Sequence, residues 1–108
     1  MMLASLISML LVSKEVYLTW YNDVGIMANG KQTHQGATAC ARDIPFGTQF
    51  ILNNKTYTCE DRYNKRLDKI RKLPTVDVWS PLPDKDLLIL GKKKVKIKFI
   101  FYDKTSQG

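Results

Sequence analysis

Histidine and cysteine are scarce in this chain: one histidine, His34, and two cysteines, Cys40 and Cys59. No Cys-x-x-Cys pair and no Cys/His cluster occurs, so no metal site and no cofactor is expected. Long apolar runs are missing as well. Residues 2–12 form the longest, broken by Ser5 and Ser8, and a membrane-spanning helix needs about 20 residues. The stretch has the length of the apolar part of an export signal, although no Lys or Arg precedes it and no clear small-residue cleavage site follows. Residues 1–14 are therefore expected to be an export signal, which would make the protein secreted or cell-envelope, or an N-terminal helix packed on the domain. Acidic residues are few: ten against seventeen Lys and Arg, for a net charge of +7. Such a balance suits an anionic partner, whether nucleic acid, a cell-wall polymer or a membrane surface, or serves solubility alone. No nucleic-acid-reading motif accompanies the basic clusters, so nucleic acid is not the expected partner. Internal repeats and low-complexity tracts are absent, and 108 residues suit one domain.

What is present is a series of short β-prone segments. Residues 16–21 are β-branched or aromatic, as strands prefer. A Gly- and Asn-rich loop follows over 22–36, then a short strand over 37–41 and a Pro-Phe-Gly-Thr turn at Pro45 to Thr48. Residues 49–52 and 55–60 flank Asn53-Asn54, which tolerate positive φ and predict a tight hairpin. The basic stretch 62–72 reads as a loop or short helix. Residues 75–79 read as a strand stopped by Pro81 and Pro83. Residues 84–90 read as a short helix with acids in its first turn, Leu87, Leu88 and Leu90 on its apolar side, and Gly91 after its end. Val95, Ile97, Phe99 and Phe101 alternate with Lys96, Lys98 and Ile100 in a half-buried last strand. The pattern predicts a mostly β fold, a small barrel with one or two short helices.

The order of five segments carries a resemblance: Thr19-Trp20-Tyr21, Thr38-Ala39-Cys40, Ile44-Pro45-Phe46-Gly47-Thr48, Thr58-Cys59-Glu60-Asp61-Arg62, and Val76-Asp77-Val78-Trp79. Over residues 16 to about 102 this order resembles the three-aspartate domain and the related rare-lipoprotein-A barrels. Both are double-psi β-barrels, a group that includes the barrel of membrane-bound lytic transglycosylase A. The resemblance implies a six-stranded double-psi barrel over 15–108 and binding or cleavage of peptidoglycan. It also implies a catalytic acid at Asp61, with Asp77 as the second aspartate. Three departures stand out. Cys40 occupies the place of the first aspartate, Ala41 that of a histidine, and the basic stretch 62–72 that of a glycine-rich segment.

A lytic transglycosylase needs only one acid/base group, because the sugar's own C6 hydroxyl displaces the leaving oxygen. That acid must hold its proton near neutral pH, which burial or a nearby like charge achieves. Glu60 and Asp77 are the sequence candidates for that charge on Asp61. The alternative role for Asp61 is structural, paired with Arg62 or capping a loop. Trp20, Tyr21 and Trp79 can stack on sugar rings or pack in the core. His34, Thr38 and Arg62 complete the candidate substrate contacts. Cys40 and Cys59 are either a disulfide or two buried thiols. Two functions follow: a lytic transglycosylase or murein-hydrolase-like enzyme, and a non-catalytic carbohydrate-binding barrel of expansin type. Either is expected to act as a monomer on peptidoglycan or a related anionic cell-wall polymer.

Overall fold

A computed structural model describes residues 7–70 and 72–104. Its elements are β1 (Ile7–Tyr21), β2 (Ala37–Cys40), β3 (Gln49–Leu52), β4 (Lys55–Arg62), α1 (Lys65–Ile70), β5 (Thr75–Trp79), α2 (Asp84–Leu90) and β6 (Lys93–Lys104). The six strands close into a barrel in the order β1-β5-β2-β4-β3-β6. Two pairings between strands distant in sequence are parallel, β1 with β5 and β2 with β4. The others are antiparallel. Each parallel pairing joins strands that do not follow one another in the chain, and the result is the expected closed six-stranded barrel with two short helices.

Alternation produces the core. Val16 and Leu18 of β1, Val76 and Val78 of β5, Phe50 of β3, and Ile97 and Phe99 of β6 all point inward and are buried. The Phe50 ring packs against Tyr57 and Phe99. The β3–β4 hairpin turns on Asn53 and Asn54 at φ 51° and 64°, the left-handed region that asparagine tolerates. In the Ile44–Thr48 turn, Gly47 takes φ 85°, which a side chain would strain. Gly47 N–H donates to the Cys59 carbonyl and Cys59 N–H to the Thr48 carbonyl, so the turn is stitched to β4.

Cys40 and Cys59 are bonded to each other, with Cα atoms 5.7 Å apart. They lie on the neighbouring parallel strands β2 and β4 and are both fully buried, so the disulfide ties the barrel wall from within.

Two expectations change. Residues 7–14 are not helical: they form the first half of β1 and pair residue by residue with β6, from Ile7 opposite Lys104 to Lys14 opposite Ile97. The β-rich alternation of residues 95–101 supplies a partner strand long enough to draw them into the sheet, and the barrel's first strand thus begins before residue 15. Residues 1–6, which open the expected signal, lie outside the described residues, as does Arg71 of the basic stretch. The second change is at α2. The helix forms where expected, but none of its residues is buried, and Leu88 and Ile89 are exposed. It is held at its start by Asn22, whose Nδ2 donates to Asp84 Oδ1 at 2.8 Å and to the Leu82 carbonyl at 2.9 Å.

Candidate active site

Four strands contribute one residue each to a single row. Thr19 on β1 stands opposite Asp77 on β5, Asp77 opposite Ala39 on β2, and Ala39 opposite Asp61 on β4. Directly opposed residues share a face of the sheet. The flanking residues Leu18, Val76 and Val78 point into the core, so the row faces outward. A β-bulge makes this arrangement. Thr38 opposes Cys59, but the next residue, Ala39, opposes Asp61. Glu60 is the extra residue, and without the slip Ala39 would face Glu60. Bulges commonly re-aim a side chain beside a site in this way. Ala39, buried between the two aspartates, keeps the space between them open with the smallest possible side chain.

The row forms the floor of a groove of about 420 Å³, walled by Trp20, Tyr21, Asp23, Tyr63 and Leu67. The loop over 22–36 fixes one side of it. Ala28 N–H donates to Asp61 Oδ1 at 2.9 Å, as does Arg62 N–H, while Tyr21 Oη donates to Asp61 Oδ2 at 3.4 Å. Asp61 is thus an acceptor held from three directions. Among the described residues, Asp77 accepts from Thr19 Oγ1, at 2.7 Å.

Electrostatics marks one acid of the row. Asp77 is pushed from the ordinary 3.8 up to about 6, chiefly by burial. The hydrogen bond from Thr19 opposes the shift, and the charges of Asp23 and Asp61 add to it. A carboxyl at about 6 carries its proton over a large part of the mildly acidic range, as a general acid must. The raised carboxyl of the row is that of Asp77, and burial outweighs like-charge repulsion as its cause. Burial, followed by the charges of Asp61 and Asp77, also holds the Tyr21 phenol well above its usual range, so it stays an O–H donor. Thr19→Val removes the bond that favours ionised Asp77. The Asp77 midpoint is then expected to rise by about half a unit to one unit. Carbon-detected NMR titration of the carboxyl checks this, and an unchanged or lower midpoint would contradict it.

The other sequence candidates fall elsewhere. Thr38 is fully buried inside the barrel, with a hydroxyl that has no partner among the described residues. It cannot reach the groove. Its inward position follows from alternation with outward-facing Ala39. Arg62 lines the groove, but its Nη1 donates to the carbonyls of Ala41 and Ile44 at 3.0 and 2.6 Å, and its guanidinium lies 4.0 Å from the Phe46 ring centroid. It braces the Pro-Phe-Gly-Thr turn and does not pair with Asp61 through its side chain. His34 bonds Glu60, with Nε2 2.6 Å from Oε2, and Asn29 Nδ2 donates to the other Glu60 oxygen at 3.2 Å. This cluster clamps the 22–36 loop onto β4. It uses up Glu60, which lines no part of the groove. Trp79 donates to the Asp23 carbonyl at 2.8 Å and lines a second hollow of about 530 Å³ together with Trp20 and Tyr57. Trp20 borders both spaces. No cluster of ligands able to hold a metal ion occurs among the described residues.

Sequence reasoning missed Thr19, Ala39, Asp23 and Tyr63. Thr19 was legible from alternation, since it lies two residues before Tyr21 on the same face. Ala39 required the pairing register. No family model, curated protein or solved structure matches the chain.

Proposed function

We propose that the barrel cleaves the glycan strands of peptidoglycan in the manner of a lytic transglycosylase, with Asp77 as the acid/base and Asp61 as its companion carboxylate. The observation that carries this is the pairing of a half-buried Asp77, its carboxyl raised to about 6, with a hydrogen-bonded Asp61 on one outward row, across Ala39, in an open groove. In the first half of the reaction the Asp77 carboxyl gives its proton to the glycosidic oxygen as the C1–O bond breaks. The C6 hydroxyl of the same sugar then bonds to C1 and its proton passes to the Asp77 carboxylate, which restores the acid. No water is consumed, so a second catalytic carboxylate is unnecessary. Asp61 faces the positive charge that develops on the sugar ring. Trp20 and Tyr21 provide aromatic walls for sugar faces. The buried disulfide supports an oxidising compartment and hence export.

One observation favours a second reading, binding without cleavage: the adjoining hollow lined by Trp20, Tyr57 and Trp79 offers aromatic surface with no acid in it. Incubating the protein with purified peptidoglycan at mildly acidic pH and analysing soluble products by mass spectrometry separates the two. Anhydro-muropeptides support the transglycosylase. Retention on peptidoglycan with no soluble product supports the binding barrel.

A further inference from the structure

The two longest strands outrun the barrel. Residues 7–10 and 101–104 pair only with each other among the described residues, because β5 joins β1 only from Tyr17 onward and β3 joins β6 only as far as Ile100. The molecule is accordingly 57 Å long against 29 and 26 Å across. This projecting ribbon is apolar and wet: Met9 is 58% exposed and Tyr102 60%, and Leu10, Leu11 and Phe101 are exposed as well. A bare two-stranded ribbon gains little from such residues in water, and a projecting apolar edge is ordinarily suppressed.

The same sheet face changes character toward the barrel. Met9 opposes Tyr102 and Leu11 opposes Ile100. Further along, Ser13 opposes Lys98, Glu15 opposes Lys96 and Tyr17 opposes Lys94. Lys94, Lys96 and Lys98 are all exposed and recur every second residue, so they form a straight row behind the apolar tip. Glu15 is the acidic residue set opposite that row.

We propose that this ribbon docks the protein on an anionic lipid bilayer, with the tip in the headgroup layer and the lysine row against lipid phosphates. An apolar patch joined to a basic row is the arrangement that interfacial binding requires. Among the described residues no further strand pairs with the ribbon's outer edges, so it rests where water still reaches and does not enter the hydrocarbon. A second copy packed face to face would set two lysine rows against each other, so charge favours the lipid as occupant.

Co-sedimentation of the full chain with vesicles tests this, comparing phosphatidylcholine alone with phosphatidylcholine containing phosphatidylglycerol. Binding is expected only to the anionic vesicles, with release at high salt. Lys94→Gln/Lys96→Gln/Lys98→Gln is expected to weaken it about a hundredfold, about fivefold per lysine. Met9→Ser/Leu11→Ser, at exposed positions, is expected to weaken it at least about tenfold with an unchanged melting temperature. Lys65→Gln/Arg66→Gln/Lys69→Gln on α1 removes the same charge elsewhere and is expected to leave binding nearly unchanged. No binding to anionic vesicles, or equal losses in the two charge variants, overturns the proposal. So does a concentration-dependent dimer that Met9→Ser/Leu11→Ser abolishes in a protein that ignores vesicles, because the face then belongs to a second copy.

Discussion

Asp77→Asn is expected to lower the rate of glycan cleavage by about a hundred- to ten-thousandfold, the usual contribution of a positioned acid/base. The amide keeps the shape of the side chain and can still accept from Thr19, so the groove and its affinity for glycan should persist. Asp61→Asn should cost less, because the proposed reaction passes its proton through Asp77 alone. The same substitution at Asp77 has an opposite effect on stability. Its carboxyl binds a proton more tightly in the folded chain than in the unfolded one, about 6 against 3.8. It therefore favours folding below pH 3.8 and loses that contribution as pH rises through about 6. At pH 8 the folded protein holds a half-buried charge at a cost on the order of 2–3 kcal/mol. Asp77→Asn is thus expected to raise the melting temperature at pH 8 and to leave it nearly unchanged at pH 4. Wild-type cleavage should fall as pH rises through about 6. A variant less active and more stable at neutral pH is the behaviour of a functional residue that the fold tolerates at a cost.

Loss of the disulfide should produce the second large effect. Cys40→Ala/Cys59→Ala opens a loop spanning a sequence separation of 19, worth about 3 kcal/mol in the unfolded chain. For a domain with about 5–15 kcal/mol of total stability this is a substantial fraction. Chemical denaturation should show the unfolding free energy falling by that amount, with an earlier midpoint. The loss should also reach the groove, because Cys40 follows Ala39 and Cys59 precedes the bulge that aims Asp61. Cleavage should therefore drop even below the unfolding temperature, and a variant with reduced stability but full activity would separate the two roles.

Much of this architecture is written locally in the chain. Alternation marked β5 and the core half of β6, Asn53-Asn54 marked the hairpin, Pro81 and Pro83 marked the end of β5, and Gly91 marked the end of α2. These signals depend on neighbours in sequence, so a single chain displays them. Residues 7–14 were not legible in this way. Their apolar run fits a signal, a helix or a strand equally, and only the partner strand β6 decides. The site divides along the same line. Asp61 and Asp77 stood out as carboxylates at strand positions, and Cys40 and Cys59 as a bondable pair. The raised Asp77 carboxyl depends on burial, opposed by the Thr19 bond from a residue 58 positions away in sequence. The role of Arg62 was hidden because its acceptors, the Ala41 and Ile44 carbonyls, belong to a turn that only folding brings beside it. Glu60 was offered as a neighbour for Asp61, but the bulge turns it toward His34.

The placement of the proton on Asp77 is the centre of this account, and a carboxyl-carbon NMR titration of the wild-type protein, with Asp77 assigned by comparison with Asp77→Asn, tests it most directly. The expected result is a midpoint at about 6, with a small downward shift in Asp61→Asn as one of the charges behind it is removed. A midpoint for Asp77 near 4, within the ordinary carboxylate range, would contradict the account.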